Sequence, residues 1–202
     1  MNIHRMRNFF LEMNVIPEQI GVLQSFCKDY VNYRKITLLL KSLNKRSNED
    51  FFISISNSCV LSCVTSWCLL FGSPRNNKIH WHRSAPEDGV SIDGEVVDNS
   101  EYKIIVGSIL SDACSRHGKI LDQYVFEMVG FRNKYAAHRD IGEYRPFPFL
   151  NAAFGVASAY MSWLSGEIFW AQPLETLEEL QVSYESIVDS VLMVHNINAV
   201  QH

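Results

Sequence analysis

Proline and glycine are scarce in this sequence, at 6 and 10 of its 202 residues. Collagen-like fibres and low-complexity linkers need far more of both, and a disordered chain has fewer apolar residues than the 47% found here. The length suits one domain with a substantial hydrophobic core, but not an enzyme with a separate cofactor domain. We therefore expect a single packed domain over residues 1–202.

The sequence also lacks an excess of positive charge. Its 18 Lys and Arg residues face 22 Asp and Glu residues, and this net charge of −4 argues against a protein that coats nucleic acid by bulk electrostatics. The charge is unevenly distributed: residues 1–46 are basic, whereas residues 146–202 contain acidic residues but no Lys or Arg. Any contact with nucleic acid must therefore be local. If the bundle brings the first helix beside a basic motif, an acidic protein still presents one narrow basic cleft.

Cysteine is infrequent and odd in number. The chain has five cysteines and is too long to need a disulfide framework. Residues 1–13 lack the apolar core of a signal peptide. Both observations predict a cytoplasmic protein. Cys59, Cys63 and Cys68 share one helical stretch, so a metal site is an alternative, but no CxxC or HxxxH spacing completes a tetrahedral ligand set. We expect buried apolar cysteines, with no metal and no cofactor.

Residues 51–71 lack charge altogether, and the run is long enough to cross a bilayer. Seven polar side chains argue against a membrane span, because each would enter hydrocarbon: Ser54, Ser56, Asn57, Ser58, Ser62, Thr65 and Ser66. Glu49 and Asp50 also precede the run where anchoring Lys or Arg would be expected. A buried helix of a soluble bundle is the favoured interpretation, and we expect no contact with a membrane.

Apolar residues recur at three- and four-residue steps through most of the chain, which is typical of amphipathic helices. The predicted helices are residues 17–46, 50–72, 101–116, 119–137, 150–169 and 174–197. Residues 74–100 break the pattern with Gly, Pro, Asn and Asp, and leave room for one short hairpin. The prediction is an all-α, up-and-down bundle of five or six helices, with a long insertion between the second and third helices.

The stretch FRNKYAAHRD, residues 131–140, carries the most chemical information. It places four basic side chains beside an amide, a phenol and a carboxylate. The apolar stripe of the preceding helix advances in three- and four-residue steps along Tyr124, Met128, Phe131 and Tyr135. His138 is the next position on that stripe, so a structural role in the core is an alternative to a catalytic one.

Geometry limits how Arg132 and His138 can act together. On an ideal helix, residues six apart differ by about 120° in direction and roughly 9 Å in height. A straight helix therefore cannot converge both side chains on one small group. Either the helix deforms before His138, or a second copy of the motif supplies the missing partner across a dimer axis.

The segment RNKYAAH resembles the HEPN family motif, in which Arg is followed by a polar residue, four variable positions and His near the end of a helix. Upstream, SWCLLFGS followed by IHWH is similar to a segment of abortive-infection HEPN proteins, in which a helix ends in Phe-Gly and a Trp follows. The resemblance covers residues 23–195 and implies one HEPN-like helical domain with its core over residues 17–197.

This resemblance implies a cytoplasmic homodimer that cleaves RNA without a metal, of bacterial defence or toxin character. The implied catalytic residues are Arg132, Asn133 and His138. His138 would exchange a proton with the ribose 2′-OH or the leaving 5′-oxygen, and Arg132 would stabilise the phosphate. Asn133 would bind phosphate or hold His138. Lys134 and Arg139 are candidate substrate-binding residues.

Three further observations leave alternatives open. Toxin members of the family are controlled by an antitoxin through a Tyr two residues after the His. Asp140 occupies that position in this chain, which argues against control by that route. An antitoxin protein that acts by another route is an open alternative. The acidic net charge and the lack of a second motif favour a non-catalytic module that dimerises or binds RNA or a nucleotide.

The segment HWHR, residues 80–83, is either a tip that stacks on RNA or binds metal, or a loop whose Trp packs onto the bundle.

Overall fold

A computed structural model describes residues 15–42, 49–75, 77–84, 90–92, 95–137, 148–168 and 174–199. These residues contain six α-helices, which confirms the predicted all-α bundle. The helices are α1 (Val15–Ser42), α2 (Glu49–Phe71), α3 (Asn99–Ser115), α4 (Leu121–Phe131), α5 (Leu150–Trp163) and α6 (Leu177–Ala199).

Shorter elements lie between these helices. The connection from α2 to α3 contains a 3₁₀ turn (Trp81–Ser84) and an antiparallel hairpin of β1 (Val90–Ile92) and β2 (Glu95–Val97). The sequence left room for such a hairpin in the insertion. Two helices end in π-helical segments: Arg132–Ala137 continues α4, and Leu164–Ile168 continues α5.

The ends of α3 show how local sequence fixes helix bounds. The Asp98 side chain caps the first turn, because its Oδ1 accepts hydrogen bonds from the backbone N–H groups of Ser100 (2.7 Å) and Glu101 (2.8 Å). At the other end Gly118 has φ +69°, and its N–H bonds to the Ser115 carbonyl at 2.8 Å. Gly118 follows the predicted helix end at residue 116 and lies in the left-handed region, where a side chain would be strained.

One hydrophobic core cluster includes residues of all six helices. Trp67 of α2 is fully buried at its centre, lies 5.4 Å from the Tyr124 ring and donates its indole N–H to the Ala153 carbonyl at 3.2 Å. Helix α1 runs antiparallel to α5, since Tyr30 contacts Asn151 near one end and Gln19 contacts Tyr160 near the other.

Among the described residues, one helix segment (Asp50–Phe71) is long and apolar enough to cross a membrane. In the bundle its buried side includes Val60, Cys63 and Trp67. Ser54, Ser58 and Thr65, which the sequence analysis singled out as unsuited to hydrocarbon, are exposed on the other side. The apolar side chains of this uncharged helix therefore form part of the bundle core.

The basic residues of α1 face the acidic residues of α6. Lys35 Nζ lies 2.7 Å from Asp189 Oδ2, and an Arg34 guanidinium nitrogen lies 3.6 Å from Glu185 Oε1. These two cations do not place the positive charge of α1 beside the Arg-Asn-x4-His motif, because both are paired with carboxylates of α6. Any basic cleft near the motif has to be built from other residues.

Candidate functional site

The end of α4 carries the motif on a deformed helix. Tyr124, Met128 and Phe131 are buried, and Tyr135 packs on Phe131 with ring centroids 4.6 Å apart, so the predicted apolar stripe is confirmed. Immediately after Phe131 the helix widens into the π-helical segment. Such a deformation ahead of His138 is one of the two alternatives that the spacing required. π-helical insertions are frequent at functional sites.

Arg132 lines an open groove of about 500 Å³ between the end of α2, the connection that follows it and the π-helical segment. Its lining residues are Cys68, Leu69, Ser73, Arg75, Asn77, Lys78, Ile79 and Arg132. We call this the basic groove, because three of these described residues are cations and none is a carboxylate. A surface of this kind attracts phosphate groups.

Asn133 fixes the orientation of the Arg132 guanidinium. Arg132 donates from Nε (3.2 Å) and from Nη2 (3.0 Å) to the single Oδ1 oxygen of Asn133. A guanidinium has five N–H donors, so this contact leaves others for an anion. The sequence analysis offered Asn133 as a phosphate ligand or a partner of His138; in the structure, its carbonyl oxygen orients Arg132.

The charge of Arg132 also reaches the buried floor of the groove. Burial raises the pKa of the Cys68 thiol to about 12, and the nearby Arg132 charge opposes that rise. Cys68 is 1% exposed, so it is a neutral thiol beneath the guanidinium at neutral pH. The positive charge of Arg132 therefore lies close to a buried, neutral thiol.

The other residues of the predicted site are distributed differently. Lys134 is partly exposed in the π-helical segment and is not among the described residues that line the basic groove. His138 and Arg139 lie outside the described residues. Of the predicted set, the structure thus brings Arg132 and Asn133 together and places Arg132 in the groove.

Arg75 and Lys78 are groove residues that the sequence analysis missed. Both lie in the connection after α2, which was interpreted only as an insertion. Asn77 attaches this connection to α2: its amide donates to the Leu69 carbonyl, and its Oδ1 accepts the Ile79 N–H at 3.2 Å. The available signal was the basic segment PRNNK placed directly after the helix stop at Gly72.

A buried polar cluster holds the far end of the same connection on the bundle. The amide of Gln19, in α1, donates to the carbonyls of Ile79 (3.1 Å) and His80 (3.2 Å). Its Oε1 lies 2.7 Å from the Ser84 hydroxyl and 2.8 Å from the Tyr160 hydroxyl. Gln19, Ser84 and Tyr160 are fully buried. The wall of the basic groove is therefore anchored to a helix that lies about 60 residues earlier in the chain.

The segment HWHR is part of this anchor. Trp81 is 8% exposed, and its carbonyl accepts a hydrogen bond from the Tyr102 hydroxyl at 3.3 Å. The interpretation as a loop whose Trp packs onto the bundle is confirmed, and the alternative of an exposed tip for stacking on RNA is wrong for Trp81. His80 is likewise buried, at 2% exposure.

His80 is a neutral imidazole because it is buried, and two backbone contacts fix its tautomer. Its Nε2 lies 3.1 Å from the Gly72 carbonyl, which accepts only, so Nε2 carries the hydrogen; Nδ1 then accepts the His82 N–H at 3.2 Å. Burial lowers the pKa of His80 to about 4, and the neighbouring His82 adds to the effect. Protonation of Nδ1 would break the second contact.

This arrangement predicts acid destabilisation through His80. Because the folded-state pKa of about 4 lies below the ordinary 6.5, the stabilisation is fully present above pH 6.5 and is lost as the pH falls towards 4. The loss amounts to at most about 3 kcal/mol. Urea denaturation of the wild type and of His80→Gln across this range should show the difference in free energy of unfolding shrinking as the pH falls. A difference that stays constant with pH would contradict this role of His80.

The five cysteines behave as core side chains. All five are free and buried, and burial raises the pKa of each thiol, including that of Cys27 to about 12. The Cys63 thiol donates to the Phe26 carbonyl at 3.8 Å. Among the residues that the structure describes, no group of three or more His, Cys, Asp or Glu side chains is arranged to hold a metal ion.

Comparison with known proteins adds no relative from which a role could be transferred. No family model matches the chain, and no curated protein or solved structure shows significant similarity to it.

Proposed function

We propose that this chain is a HEPN-type endoribonuclease that cleaves RNA without a metal in a bacterial defence or toxin system. The observation that carries the proposal is the position of Arg132: the Arg of the Arg-Asn-x4-His motif lines an open groove with two further cations and, among the described residues, no carboxylate. An anionic strand lying in this groove would meet the motif at the end of α4. We propose a cytoplasmic location, as the buried free thiols suit a reducing compartment.

The chemistry assigned to the motif is an internal transesterification. The ribose 2′-oxygen attacks the adjacent phosphorus while the bond from phosphorus to the 5′-oxygen breaks, and a proton passes in net terms from the 2′-OH to the leaving 5′-oxygen. His138 is the group that exchanges this proton, because an imidazole titrates near neutral pH. Arg132 stabilises the charge that builds on the phosphate oxygens. The products are a 2′,3′-cyclic phosphate and a 5′-hydroxyl.

A homodimer is part of the proposal. Arg132 and His138 are six positions apart in the sequence, and a symmetric contact would place the same patch of two chains together. Each basic groove could then receive His138 from its own chain or from the second copy. Mixing Arg132→Gln chains with His138→Ala chains distinguishes these cases, because partial recovery of cleavage in the mixture requires residues from both copies.

We predict that Arg132→Gln lowers the rate of RNA cleavage about 10²- to 10³-fold, the loss typical when one donor to a developing oxyanion is removed. Arg116→Gln is the matched control, because Arg116 is also an arginine on a helix end but lines a different cavity, with Ser158 and Glu178. Initial rates on an end-labelled RNA in EDTA provide the measurement. Equal rates for the two variants would contradict the role given to Arg132.

One observation favours a second candidate, a module that binds RNA or a nucleotide without cleaving it. The described lining of the basic groove contains cations, Ser73 and Asn77, but no His, Asp or Glu that could transfer a proton near neutral pH. Anisotropy of a labelled RNA together with a cleavage assay separates the two candidates. Binding that Arg132→Gln weakens, with no cleavage by the wild type, identifies the module.

A further inference from the structure

The connection after α2 contributes two cations, Arg75 and Lys78, to the lining of the basic groove. We infer that Arg75 and Lys78 form, with Arg132, a track that binds the phosphodiester backbone of single-stranded RNA. This inference rests on the proposed function, because it adds the substrate contacts beside the reacting phosphate. It assigns them to the connection after α2 rather than to the predicted Lys134 and Arg139.

The charges of the track are available to a ligand. Arg75 and Lys78 are both exposed, and they lie three positions apart in the connection after α2. In the described residues neither makes an ion pair, whereas Arg34, Lys35 and Lys119 each pair with a carboxylate. In the part of the chain that the structure describes, these two cations line the groove together with Arg132 and no carboxylate, so a polyanion bound there would meet three positive charges.

The backbone segment that carries Lys78 is held in place before a ligand binds. Asn77 lies between the two cations in sequence and bonds to the Leu69 carbonyl of α2. The Gln19 amide holds Ile79 and His80, directly after Lys78. Because the backbone is already fixed on both sides of Lys78, this backbone loses little entropy when Lys78 binds a phosphate.

The shape of the groove favours a strand over a single phosphate ion. The groove is open to solvent and its cations come from two separate segments, whereas a small anion needs an enclosing set of donors. Leu69, which is 39% exposed, supplies an apolar surface for ribose or base edges. No aromatic side chain is among the described lining residues, so bases are not held by stacking. We expect binding to depend on strand length and salt, and only weakly on base sequence.

The test uses the full chain with His138→Ala, so that cleavage does not consume the probe. Arg75→Gln and Lys78→Gln are each added, and the anisotropy of labelled oligouridylate and oligoadenylate is followed over a range of KCl concentrations. Each replacement should weaken binding about five- to tenfold at low salt and reduce the slope of log affinity against log salt by about 0.7. The matched controls Arg116→Gln and Lys28→Gln, which remove exposed cations elsewhere, should change affinity less than about twofold.

The outcomes separate this inference from the proposed function. If Arg132→Gln weakens binding but Arg75→Gln and Lys78→Gln act like the controls, the track is wrong and the ribonuclease proposal stands. If both track variants weaken binding but the wild type does not cleave RNA, the track stands and the ribonuclease proposal fails. The assignment to an RNA strand would be overturned if inorganic phosphate displaced the labelled RNA as effectively as unlabelled RNA does at the same concentration. Tighter binding to anionic phospholipid vesicles than to RNA would also overturn it.

Discussion

Replacement of His138 by alanine is expected to lower the rate of RNA cleavage by about 10²- to 10⁴-fold, the range typical for loss of a general acid or base. The physical reason is that a 2′-OH is a poor nucleophile and a 5′-alkoxide a poor leaving group unless a proton moves with each. RNA affinity should change less than about twofold, because the cations of the basic groove are untouched. Initial cleavage rates and anisotropy on the same RNA measure the two quantities.

The matched control for this variant is His117→Ala. His117 is exposed at the end of α3 and lines a cavity that does not contain Arg132. It should leave the cleavage rate within about twofold of the wild type, as is usual for surface changes away from a site. If His138→Ala lost RNA affinity and thermal stability together with cleavage, the alternative of a structural histidine on the core stripe would be supported instead.

Replacement of Gln19 by leucine is expected to have the largest effect on stability, lowering the free energy of unfolding by about 3–5 kcal/mol. Leucine fills the space but removes both donors to the Ile79 and His80 carbonyls and the acceptor of the Ser84 and Tyr160 hydroxyls. A buried polar group without a partner costs about 1–3 kcal/mol. The Ile79 carbonyl would lose its partner, and one of the two hydroxyls would lose its acceptor. The His80 carbonyl would still accept the Arg83 N–H at 2.8 Å, and the Ser84 and Tyr160 hydroxyls would still lie 2.8 Å apart. Urea denaturation provides the measurement.

Gln24→Leu serves as the control, because Gln24 is an exposed residue of the same helix and the change in propensity is the same. It should change the free energy of unfolding by less than about 0.5 kcal/mol. A folded Gln19→Leu protein should also bind RNA more weakly, since the connection that carries Lys78 loses its anchor. A Gln19→Leu protein as stable as Gln24→Leu would contradict the importance of the buried cluster.

Much of the fold could be predicted from the sequence, because a helix with one buried face has apolar residues at every third or fourth position. The steps through Tyr124, Met128, Phe131 and Tyr135 are those of a helix with one buried face, and all but the partly buried Tyr135 lie in the core. Asp98 and Gly118 fix the ends of α3 by contacts within a few residues. The π-helical form of residues 132–137 was not predicted, since the spacing required a change of geometry but did not specify which.

The groove could be predicted only in part, because its two walls are joined by tertiary contacts. Arg132 was found through a motif that lies within one short segment. Arg75 and Lys78 lie in a segment without periodicity, and their position depends on Gln19, about 60 residues earlier. The net charge of a segment also did not predict where positive charge is available. Lys35 belongs to the basic first segment, but its charge is paired with Asp189 of α6.

The central claim is that this chain cleaves RNA by attack of the 2′-OH without a metal, and the chemical ends of the products test it most directly. Purified wild-type protein should cut a labelled RNA in the presence of EDTA and leave 2′,3′-cyclic phosphate and 5′-hydroxyl ends, and a strand with 2′-deoxy sugars should stay intact. His138→Ala should leave both strands intact. Products with 5′-phosphate ends, cleavage of the deoxy strand, or full cleavage by His138→Ala would contradict the account.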